Sequence, residues 1–320
     1  MAGQTLKTLH PFLQENTSTV SSGGHVKSYS HDLGSGPIFV CVHGWPQSSY
    51  MWRHVVSELK DTISLFVPEL PGYGFSSLPP KHDKRTVGNL IIEALQQVFS
   101  KDRPIIWCGH DRGGRIGHRL IVDNTPSHNI ISAILIDIVP TKAQWSAFSH
   151  PAASAAYYHW PFLALPTAPQ MIESMGPGEF TKLNLERAKG ASETGVAKFK
   201  ENDAVGHYCH QFSNPECVAG SCGDYHAGAF EDVEEQMKDQ EVGRKVSIPL
   251  MVVWSASNLG RMHDVPEVWK EWVERPEQVR FEPVEGGFGH YLPEECPERV
   301  SPLFKEWMEG GGKEWAMGGG

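Results

Sequence analysis

The sequence predicts an α/β protein built on a mostly parallel sheet that is flanked by helices and interrupted by an inserted, mainly helical cap. Short runs rich in Val and Ile recur along the chain, and their continuous apolarity is typical of strands buried on both faces. These runs lie at 37–42, 63–67, 105–108, 133–137 and 248–254. Segments with helical periodicity separate some of them, at 86–99 and 112–123. Strands that alternate with helices predict a parallel sheet whose ligands bind at the carboxyl ends of the strands.

The alternation of strands and helices stops after Asp137 and resumes only near Ile248. The intervening segment mixes Pro, Ala, His and aromatic residues with helical patches such as 180–200, and we interpret it as the cap. We expect the core to comprise residues 1–141 and 246–309, the cap residues 142–245, and the Gly-rich end, 310–320, a flexible tail.

The charge balance of the chain favours small-molecule chemistry. Its 28 basic and 38 acidic residues give a formal net charge of −10, the wrong sign for a protein that binds nucleic acid or anionic lipid. No run approaches the roughly 20 apolar residues of a membrane span, and the first residues lack the apolar stretch of a signal peptide. We therefore expect a cytoplasmic protein with a small-molecule substrate and no nucleic-acid or membrane partner. The sequence leaves the oligomeric state open, with a homodimer among the alternatives.

The cysteines predict reduced thiols rather than a disulfide framework. They are thinly spread, and two lie inside strand-like runs: Cys41, Cys108, Cys209, Cys217, Cys222 and Cys296. The close spacing of Cys217 and Cys222 would permit a disulfide or a zinc site, but ordinary thiols are favoured. His207-Tyr-Cys-His210 lacks further ligands at fixed spacing, so we expect neither a metal nor a cofactor.

The densest information lies in residues 105–115, where an apolar strand leads into Gly109-His-Asp-Arg-Gly113 and then into a helix. This is the pattern of a nucleophile elbow, with Asp111 at the position that more often carries Ser. The turn from strand to helix is so sharp that only small residues fit beside the nucleophile, which accounts for the flanking glycines. In this context we interpret Asp111 as a nucleophile rather than as part of an ordinary tight turn.

An oxyanion hole is predicted next to the elbow. His43-Gly-Trp-Pro46 follows the first of the predicted strands, where the backbone N–H of Trp45 can serve as one donor. The backbone N–H of Arg112, directly after Asp111, is the expected second donor.

A general base and its orienting acid complete the predicted triad. His290 lies in a Gly-rich segment near the C-terminus and is the expected base. Asp137 and Asp264 are both candidates for the acid that orients its imidazole. We favour Asp137 because it ends its strand directly, whereas Asp264 lies ten residues beyond the strand that ends at Trp254.

A carboxylate nucleophile changes the reaction that the elbow can perform. A carboxylate displaces a leaving group from saturated carbon and forms an alkyl ester on the enzyme. Water activated by His290 must then attack the carbonyl of Asp111, so the oxyanion hole acts on the enzyme's own ester. Carbon–halogen cleavage and epoxide opening both fit this scheme.

Two arginines favour an anionic substrate. Arg112 and Arg115 lie at i and i+3 on the helix that leaves the elbow and can face one pocket beside Asp111. Guanidinium groups bind carboxylates in bidentate fashion, and buried charge is costly when it is unpaired. We therefore expect both arginines to bind a substrate carboxylate. The alternative is that one or both pair with core acids such as Glu69 or Glu93.

From roughly Pro37 to Phe304 the chain resembles the fluoroacetate dehalogenases, a family with the α/β-hydrolase fold. Residues 109–115 resemble the family's elbow, whose Asp is the nucleophile and whose two arginines hold the substrate carboxylate. Residues 136–141 resemble the segment of the triad acid, here Asp137, and residues 289–295 resemble the segment of the catalytic His. The resemblance implies an α/β-hydrolase fold with a helical cap and cleavage of a haloacetate.

Two cap motifs extend the resemblance. Residues 158–166 are similar to a family motif in which His and Trp contribute to the halide pocket, here His159 and Trp160. Residues 224–229 resemble the motif that supplies the tyrosine of that pocket, here Tyr225. The three side chains would replace the water around a departing fluoride with an imidazole N–H, an indole N–H and a phenol O–H. Without the resemblance, these aromatic residues would be interpreted as packing of the cap over the core.

Several positions depart from the family pattern. Trp45 stands where Phe is more common, Gly114 stands where Ala is usual, and the segments 201–222 and 258–264 diverge. These changes affect pocket size and access more than chemistry. A larger acid or an ester-like metabolite is therefore an alternative substrate.

The sequence thus predicts a hydrolase that displaces halide from a small 2-haloacid without a cofactor or metal. An epoxide hydrolase with the same Asp111, Asp137 and His290, in which cap tyrosines polarise the oxygen, is the main alternative. Arg112 argues against it, because Trp usually follows the Asp in epoxide hydrolases. The third alternative is a non-catalytic ligand-binding hydrolase fold, against which the complete triad argues.

Overall fold

The computed structural model describes residues 5–310. The flexible tail expected at 310–320 lies outside these residues except for Gly310. Within them, one sheet contains the strands Gln14–Thr19 (β1), His25–His31 (β2), Ile38–Val42 (β3), Ser64–Pro68 (β4), Ile105–His110 (β5), Ile130–Ile136 (β6), Leu250–Ser255 (β7) and Val279–Val284 (β8). Their order across the sheet is β1-β2-β4-β3-β5-β6-β7-β8. Strands β3 to β8 run parallel, and β1 and β2 add an antiparallel edge, so the expected mostly parallel sheet is confirmed.

The predicted apolar runs correspond to β3 through β7. Strands β3, β4, β5 and β7 are buried at every position, which explains their continuous apolarity. Apolar patterning does not predict β1, β2 or β8. Strands β1 and β8 are edge strands whose exposed and half-buried polar residues interrupt the apolar pattern, and β2 carries Lys27, Ser28 and Ser30.

Helices cover both faces of the sheet and form the cap. They are Leu6–Leu9 (α1), Arg53–Leu59 (α2), Lys84–Val98 (α3), Arg112–Asp123 (α4), Thr141–Ala147 (α5), Pro151–Ala156 (α6), His159–Leu163 (α7), Ala168–Met175 (α8), Pro177–Ala188 (α9), Glu193–Lys200 (α10), Ala204–Phe212 (α11), Pro215–Ala229 (α12), Glu231–Glu241 (α13), Val265–Lys270 (α14), Leu292–Glu295 (α15) and Pro297–Glu309 (α16). Short 3₁₀ helices lie at Ser49–Trp52, Pro126–His128, Glu201–Asp203, Leu259–Arg261 and Pro276–Gln278. The segments predicted at 86–99 and 112–123 correspond to α3 and α4.

The sheet separates two apolar cores. Because successive side chains of a strand point to opposite faces, Val40 of β3 packs in a cluster with residues of α3 and α4, whereas Phe39 packs in a cluster with residues of α2 and α16. Phe39 and Phe304 of α16 lie with ring centroids 5.8 Å apart. The central strands are thereby fixed from both sides, which gives the loops at their ends a rigid base.

The inserted segment between β6 and β7 consists of helices α5 to α13 and short connections. Cap residues such as Trp160 and Tyr225 belong to the same apolar cluster as Val42, the last residue of β3. The cap therefore lies over the carboxyl ends of the parallel strands, where a ligand site is expected.

Backbone hydrogen bonds join cap residues 188–192 to the core segment 287–295, and we call this contact the cap–core junction. The N–H of His290 donates to the carbonyl of Ala188 at 2.9 Å, and two cap N–H groups, from residues 191 and 192, donate to the carbonyl of Gly287. The buried carboxylate of Glu295 accepts from the N–H of Gly190 at 2.9 Å and from the N–H of Gly289 at 2.7 Å. The loop that carries His290 is therefore held by the cap as well as by the core.

All six cysteines are free, as expected for reduced thiols. Burial raises the pKa of the Cys41 and Cys108 thiols, which keeps both protonated. None of the helices within residues 5–310 combines the length and the apolarity needed to cross a bilayer.

Candidate active site

Asp111 occupies a strained turn between β5 and α4. Its φ of 49° and ψ of −113° lie outside the regions that non-glycine residues favour. A Cβ on Gly109 would lie 2.3 Å from the carbonyl oxygen of Gly113, and a Cβ on Gly113 would lie 2.4 Å from the carbonyl oxygen of Val42. The turn therefore requires glycine at positions 109 and 113, because any larger residue would clash with the backbone.

The two carboxylate oxygens of Asp111 have different surroundings. Oδ1 accepts a hydrogen bond from the backbone N–H of Trp45 at 2.8 Å, where the sequence predicts an oxyanion-hole donor. Oδ2 lies 3.7 Å from Nε2 of His290. The expected second donor, the N–H of Arg112, belongs to the first residue of α4. The arrangement leaves Oδ2 as the oxygen available for attack on a substrate.

His290 lies between two carboxylates. Its Nδ1 is 2.6 Å from Oδ2 of Asp137, which the sequence analysis favours as the orienting acid. Asp137 is fixed in turn by the N–H of Ser255 on Oδ1 at 2.8 Å and by the side-chain amide of Asn258 on Oδ2 at 2.9 Å. The other candidate, Asp264, instead caps the N-terminus of α14 by accepting from the N–H of Glu267.

The charges of this site shift the pKa values of its members in opposite directions. Burial would lower the pKa of His290, but its contacts with Asp111 and Asp137 outweigh burial and raise the pKa to about 9. Burial would raise the pKa of Asp111, yet His290 and the charge of Arg112 hold that pKa well below its usual range. The site therefore contains an ionised Asp111 carboxylate and a protonated His290 imidazole at neutral pH.

Arg112 and Arg115 have different environments, whereas the sequence predicts that both bind the substrate carboxylate. Arg112 is fully buried, and its Nε and Nη2 donate to the side-chain and backbone oxygens of Asp224 at 2.5 and 3.0 Å. It does not line the cavity described below, and its guanidinium carbon lies 4.2 Å from the ring centroid of Tyr225. The core acids considered as partners, Glu69 and Glu93, instead accept from hydroxyl and N–H groups of Ser49 and Ser21.

Arg115 lines the cavity and has no acidic partner among the described residues. Its Nη1 donates to the backbone carbonyl of Val139 at 2.7 Å, and its guanidinium lies 4.4 Å from the ring centroid of Trp160. Its Nε has no hydrogen-bond partner. Burial, together with the nearby charge of Arg112, lowers the pKa of Arg115 to about 10. Arg115 is thus a buried cation that borders the cavity and forms no ion pair within the described chain, although the nearby charge of Asp111 favours its charged form.

The three side chains expected at the halide pocket lie together on the wall of the same cavity. Trp160 and Tyr225 meet edge to face with centroids 5.6 Å apart, and His159 stacks on Trp45 with centroids 5.2 Å apart. The hydroxyl of Tyr225 is buried and has no hydrogen-bond partner within the described chain. It is therefore a donor that a ligand in the cavity could use.

Arg187, which the sequence analysis does not identify, fixes the protonation of His159. Nη2 of Arg187 lies 3.0 Å from Nδ1 of His159. A guanidinium can only donate, so Nδ1 must accept, and the neutral ring carries its proton on Nε2. Burial and the charge of Arg187 lower the pKa of His159 well below its usual value, so the ring stays neutral. His159 is thus a single-tautomer N–H donor.

The cavity that contains these groups has a volume of about 490 Å³. The buried part of its wall contains Asp111, Arg115, Gln144, Trp160 and Tyr225, among others. Its rim is exposed and is formed by alanines of α6 and by residues of the loop 257–262. Neither Gln144 nor Arg187 belongs to a recognisable local pattern, so sequence reasoning could not identify them.

The histidines of the segment 207–210, which the sequence analysis weighed as metal ligands, do not line this cavity. Within residues 5–310, no group of three or more His, Cys, Asp or Glu side chains is arranged to hold a metal ion. His207 of the sequence motif 207–210 instead stacks on Tyr50, with ring centroids 4.2 Å apart.

Comparison with known proteins gives consistent matches over most of the chain. A family model described as the alpha/beta hydrolase family matches residues 39–303. A fluoroacetate dehalogenase from Burkholderia sp. is 31% identical over 281 residues, which cover 86% of this chain and 88% of that protein. A soluble epoxide hydrolase from Corynebacterium sp. strain C12 is 28% identical, over 83% of this chain and 88% of that protein. Among solved structures, ALR0039 from Nostoc sp. PCC 7120 superposes with a TM-score of 0.80 at 27% identity, covering 92% of this chain and 98% of that one.

Proposed function

The chain belongs to the alpha/beta hydrolase family, in its haloacetate-dehalogenase-like group, and on this premise we propose that it hydrolyses the carbon–halogen bond of a small 2-haloacid. Asp111 is the nucleophile, His290 the base and Asp137 the acid that orients the base. The proposal requires neither a metal nor a cofactor.

The observation that supports an acid substrate best is Arg115. A buried guanidinium without an acidic partner is costly, and an anionic ligand in the adjoining cavity would supply that partner. Since Asp111 borders the same cavity, a carboxylate bound to Arg115 would bring the neighbouring carbon of the ligand towards Oδ2. Arg112, held by Asp224, adds positive charge near the site and leaves only Nη1 unpartnered.

In the first step, Oδ2 of Asp111 attacks the carbon that bears the halogen. A carbon–oxygen bond forms, the carbon–halogen bond breaks, and its electron pair leaves with the halide. His159, Trp160 and Tyr225 would donate hydrogen bonds to the departing anion, which replaces the water that it would bind in solution. The product of this step is an ester between Asp111 and the acid.

In the second step, His290 removes a proton from water, and the resulting hydroxide attacks the carbonyl carbon of Asp111. The N–H of Trp45 stabilises the oxyanion that forms on Oδ1, together with the N–H of Arg112. Collapse of the intermediate breaks the ester bond between the Asp111 carbonyl carbon and the alkoxide oxygen, and His290 returns its proton to that oxygen, which gives a 2-hydroxyacid. The remaining proton then passes from the Asp111 carboxyl to His290, which restores the carboxylate with one oxygen from water and the resting imidazolium. Ester formation itself prepares the base, because it removes the negative charge of Asp111 that raises the pKa of His290.

A second candidate function, epoxide hydrolysis, is favoured by two tyrosines on the cavity wall, Tyr157 and Tyr225. Two phenol groups could donate to an epoxide oxygen while Asp111 attacks the ring carbon. Neutral epoxides, however, would leave Arg115 without an ion-pair partner in the cavity. We therefore rank this function second.

The test is a direct comparison of the two reactions on the purified protein. Fluoroacetate and chloroacetate are assayed for halide and glycolate release, and styrene oxide is assayed for diol formation. We expect halide and glycolate in equal amounts, with little diol. Diol formation without halide release would exclude the dehalogenase function and support the epoxide hydrolase.

A further inference from the structure

Gln144 is a buried amide on the cavity wall that the proposed reaction does not use. Its side chain is only 1% exposed, and neither Nε2 nor Oε1 has a hydrogen-bond partner among the described residues. Buried polar groups are nearly always paired in proteins, and an unpaired donor and acceptor in one side chain is costly. The cavity borders this side chain, so a bound ligand is a suitable partner.

Gln144 lies close in the fold to the proposed carboxylate site. It belongs to the first turn of α5, and its backbone N–H donates to the carbonyl of Pro140 at 3.0 Å. The preceding carbonyl, that of Val139, accepts from Nη1 of Arg115 at 2.7 Å. A ligand whose carboxylate binds Arg115 therefore has its substituents within the region that α5 borders.

The size of the cavity leaves room for such a substituent. A volume of about 490 Å³ lies in the range of sites for drug-sized ligands, roughly 300–1,000 Å³. A haloacetate has only a handful of non-hydrogen atoms and would fill a small part of this space. The alanines on its exposed rim, Ala152, Ala155 and Ala156, have small side chains that leave this space open.

We propose that Gln144 binds a carboxamide on the α-substituent of the substrate, so that the substrate class is 2-haloacids with an amide-bearing side chain. A carboxylate would pair only with Nε2 and an ammonium group only with Oε1. A carboxamide offers a donor and an acceptor at the spacing of the Gln144 amide itself, so two reciprocal hydrogen bonds form. A neutral group also adds no charge beside Arg115. The inference rests on the proposed function, because it assumes that the acid binds beside Asp111.

Two acids of nearly equal shape test this inference. 2-Chlorosuccinamate and 2-chloro-4-methylpentanoate differ in that a carboxamide replaces an isopropyl group, and both enantiomers of each are assayed for chloride release. We expect the wild-type protein to favour the amide by at least about tenfold in kcat/KM, because the apolar acid leaves the Gln144 amide unpaired. Gln144→Met should reverse this preference.

Gln211→Met is the matched control. Gln211 lies on α11, is also buried, at 6% exposed, and also lacks hydrogen-bond partners for both amide atoms in the described chain, but it does not line the cavity. Both substitutions replace an unpaired buried amide by an apolar side chain. Only Gln144→Met should change the ratio of the two acids, whereas Gln211→Met should leave it as in the wild type.

The outcomes separate this inference from the proposed function. Turnover of chloroacetate without turnover of either larger acid, or a preference that Gln144→Met does not change, would overturn the role of Gln144 and leave the dehalogenase intact. If no haloacid is turned over, the proposed function fails, and calorimetric titration with unreactive succinamate and 4-methylpentanoate decides the inference. Tighter binding of succinamate that is lost in Gln144→Met supports it, and equal or absent binding contradicts it.

Discussion

Replacement of Arg187 by Met should slow fluoride release by removing the group that fixes the tautomer of His159. In the wild type, Nη2 of Arg187 lies 3.0 Å from Nδ1 of His159, which leaves the ring proton on Nε2. Nη1 of Arg187 also donates to the carbonyl of Ala156 at 2.7 Å. Without Arg187, the proton can move to Nδ1, and the Nε2 lone pair would then repel the departing halide.

The size of the effect follows from the exposure of the two partners. A hydrogen bond to a charged group contributes roughly 1.5–3 kcal/mol. Arg187 is exposed whereas His159 is 7% exposed, so water can partly replace the lost donor and the lower end of that range applies. A loss of about 1.5 kcal/mol corresponds to about a tenfold decrease in the rate of ester formation.

The assay measures halide release in a single turnover with fluoroacetate and bromoacetate. Fluoride depends on hydrogen bonds more than bromide does, because it is the smaller and more strongly hydrated ion. We therefore expect Arg187→Met to slow fluoride release about tenfold and bromide release by about threefold or less. Hydrolysis of the ester, in which His159 has no part, should keep its rate.

Two further variants complete this test. Arg187→Lys keeps a cationic donor and should restore part of the fluoride rate. Lys182→Met removes an exposed cation from the same helix, α9, and should have no effect on either halide. An equal decrease for fluoride and bromide in Arg187→Met would refute the tautomer argument, because it would indicate a general disturbance of the cap.

Four other outcomes are expected. His290→Asn should trap the ester, so that intact-mass analysis after addition of chloroacetate shows an alkylated chain, and an unmodified chain would contradict the covalent mechanism. In the ester form the negative charge of Asp111 is lost, so the pKa of His290 falls below its resting value of about 9. Acidification from about pH 8 to about pH 5 should therefore protonate His290 of the ester and slow its hydrolysis, while ester formation continues because the pKa of Asp111 lies far lower; quenched wild-type samples should then contain more ester. Asp137→Asn should decrease kcat at least about a hundredfold, whereas Asp264→Asn should stay within about threefold, and the reverse order would assign the orienting role to the later acid. Arg115→Met should decrease kcat/KM for chloroacetate at least about tenfold and have little effect on turnover of chloroacetamide, and equal losses for acid and amide would argue against a carboxylate site.

The parts of the fold and site that the sequence predicts are those set by local physical constraints. Continuous apolarity identifies β3 to β7 because these strands are buried on both faces. The elbow is recognisable because the turn at Asp111 forces glycine at 109 and 113, within two residues. Asp137 is favoured by its place at the end of a strand, and the structure shows it 2.6 Å from His290.

The parts that sequence reasoning misses depend on contacts between distant segments. Asp224, which pairs with Arg112, lies 112 positions away and precedes Tyr225 in a motif interpreted only for its tyrosine. No spacing rule connects an arginine with one acid among 38 acidic residues. Gln144 and Arg187 are likewise ordinary residues of helices, and only the fold places them on the cavity wall.

The cap–core junction couples the helices that shape the cavity to the loop that carries His290, and this limits how the protein can change. Because Glu295 accepts hydrogen bonds from the backbone N–H groups of both Gly190 of the cap and Gly289 of the core, we expect exchange of the cap for that of a relative to disturb the loop of His290. A chimaera that imports residues 142–245 would need compatible backbone at 188–192 to keep its base in place. Substrate range in this protein should therefore diverge more readily by single substitutions on the cavity wall and in the rim loop 257–262 than by replacement of the whole cap.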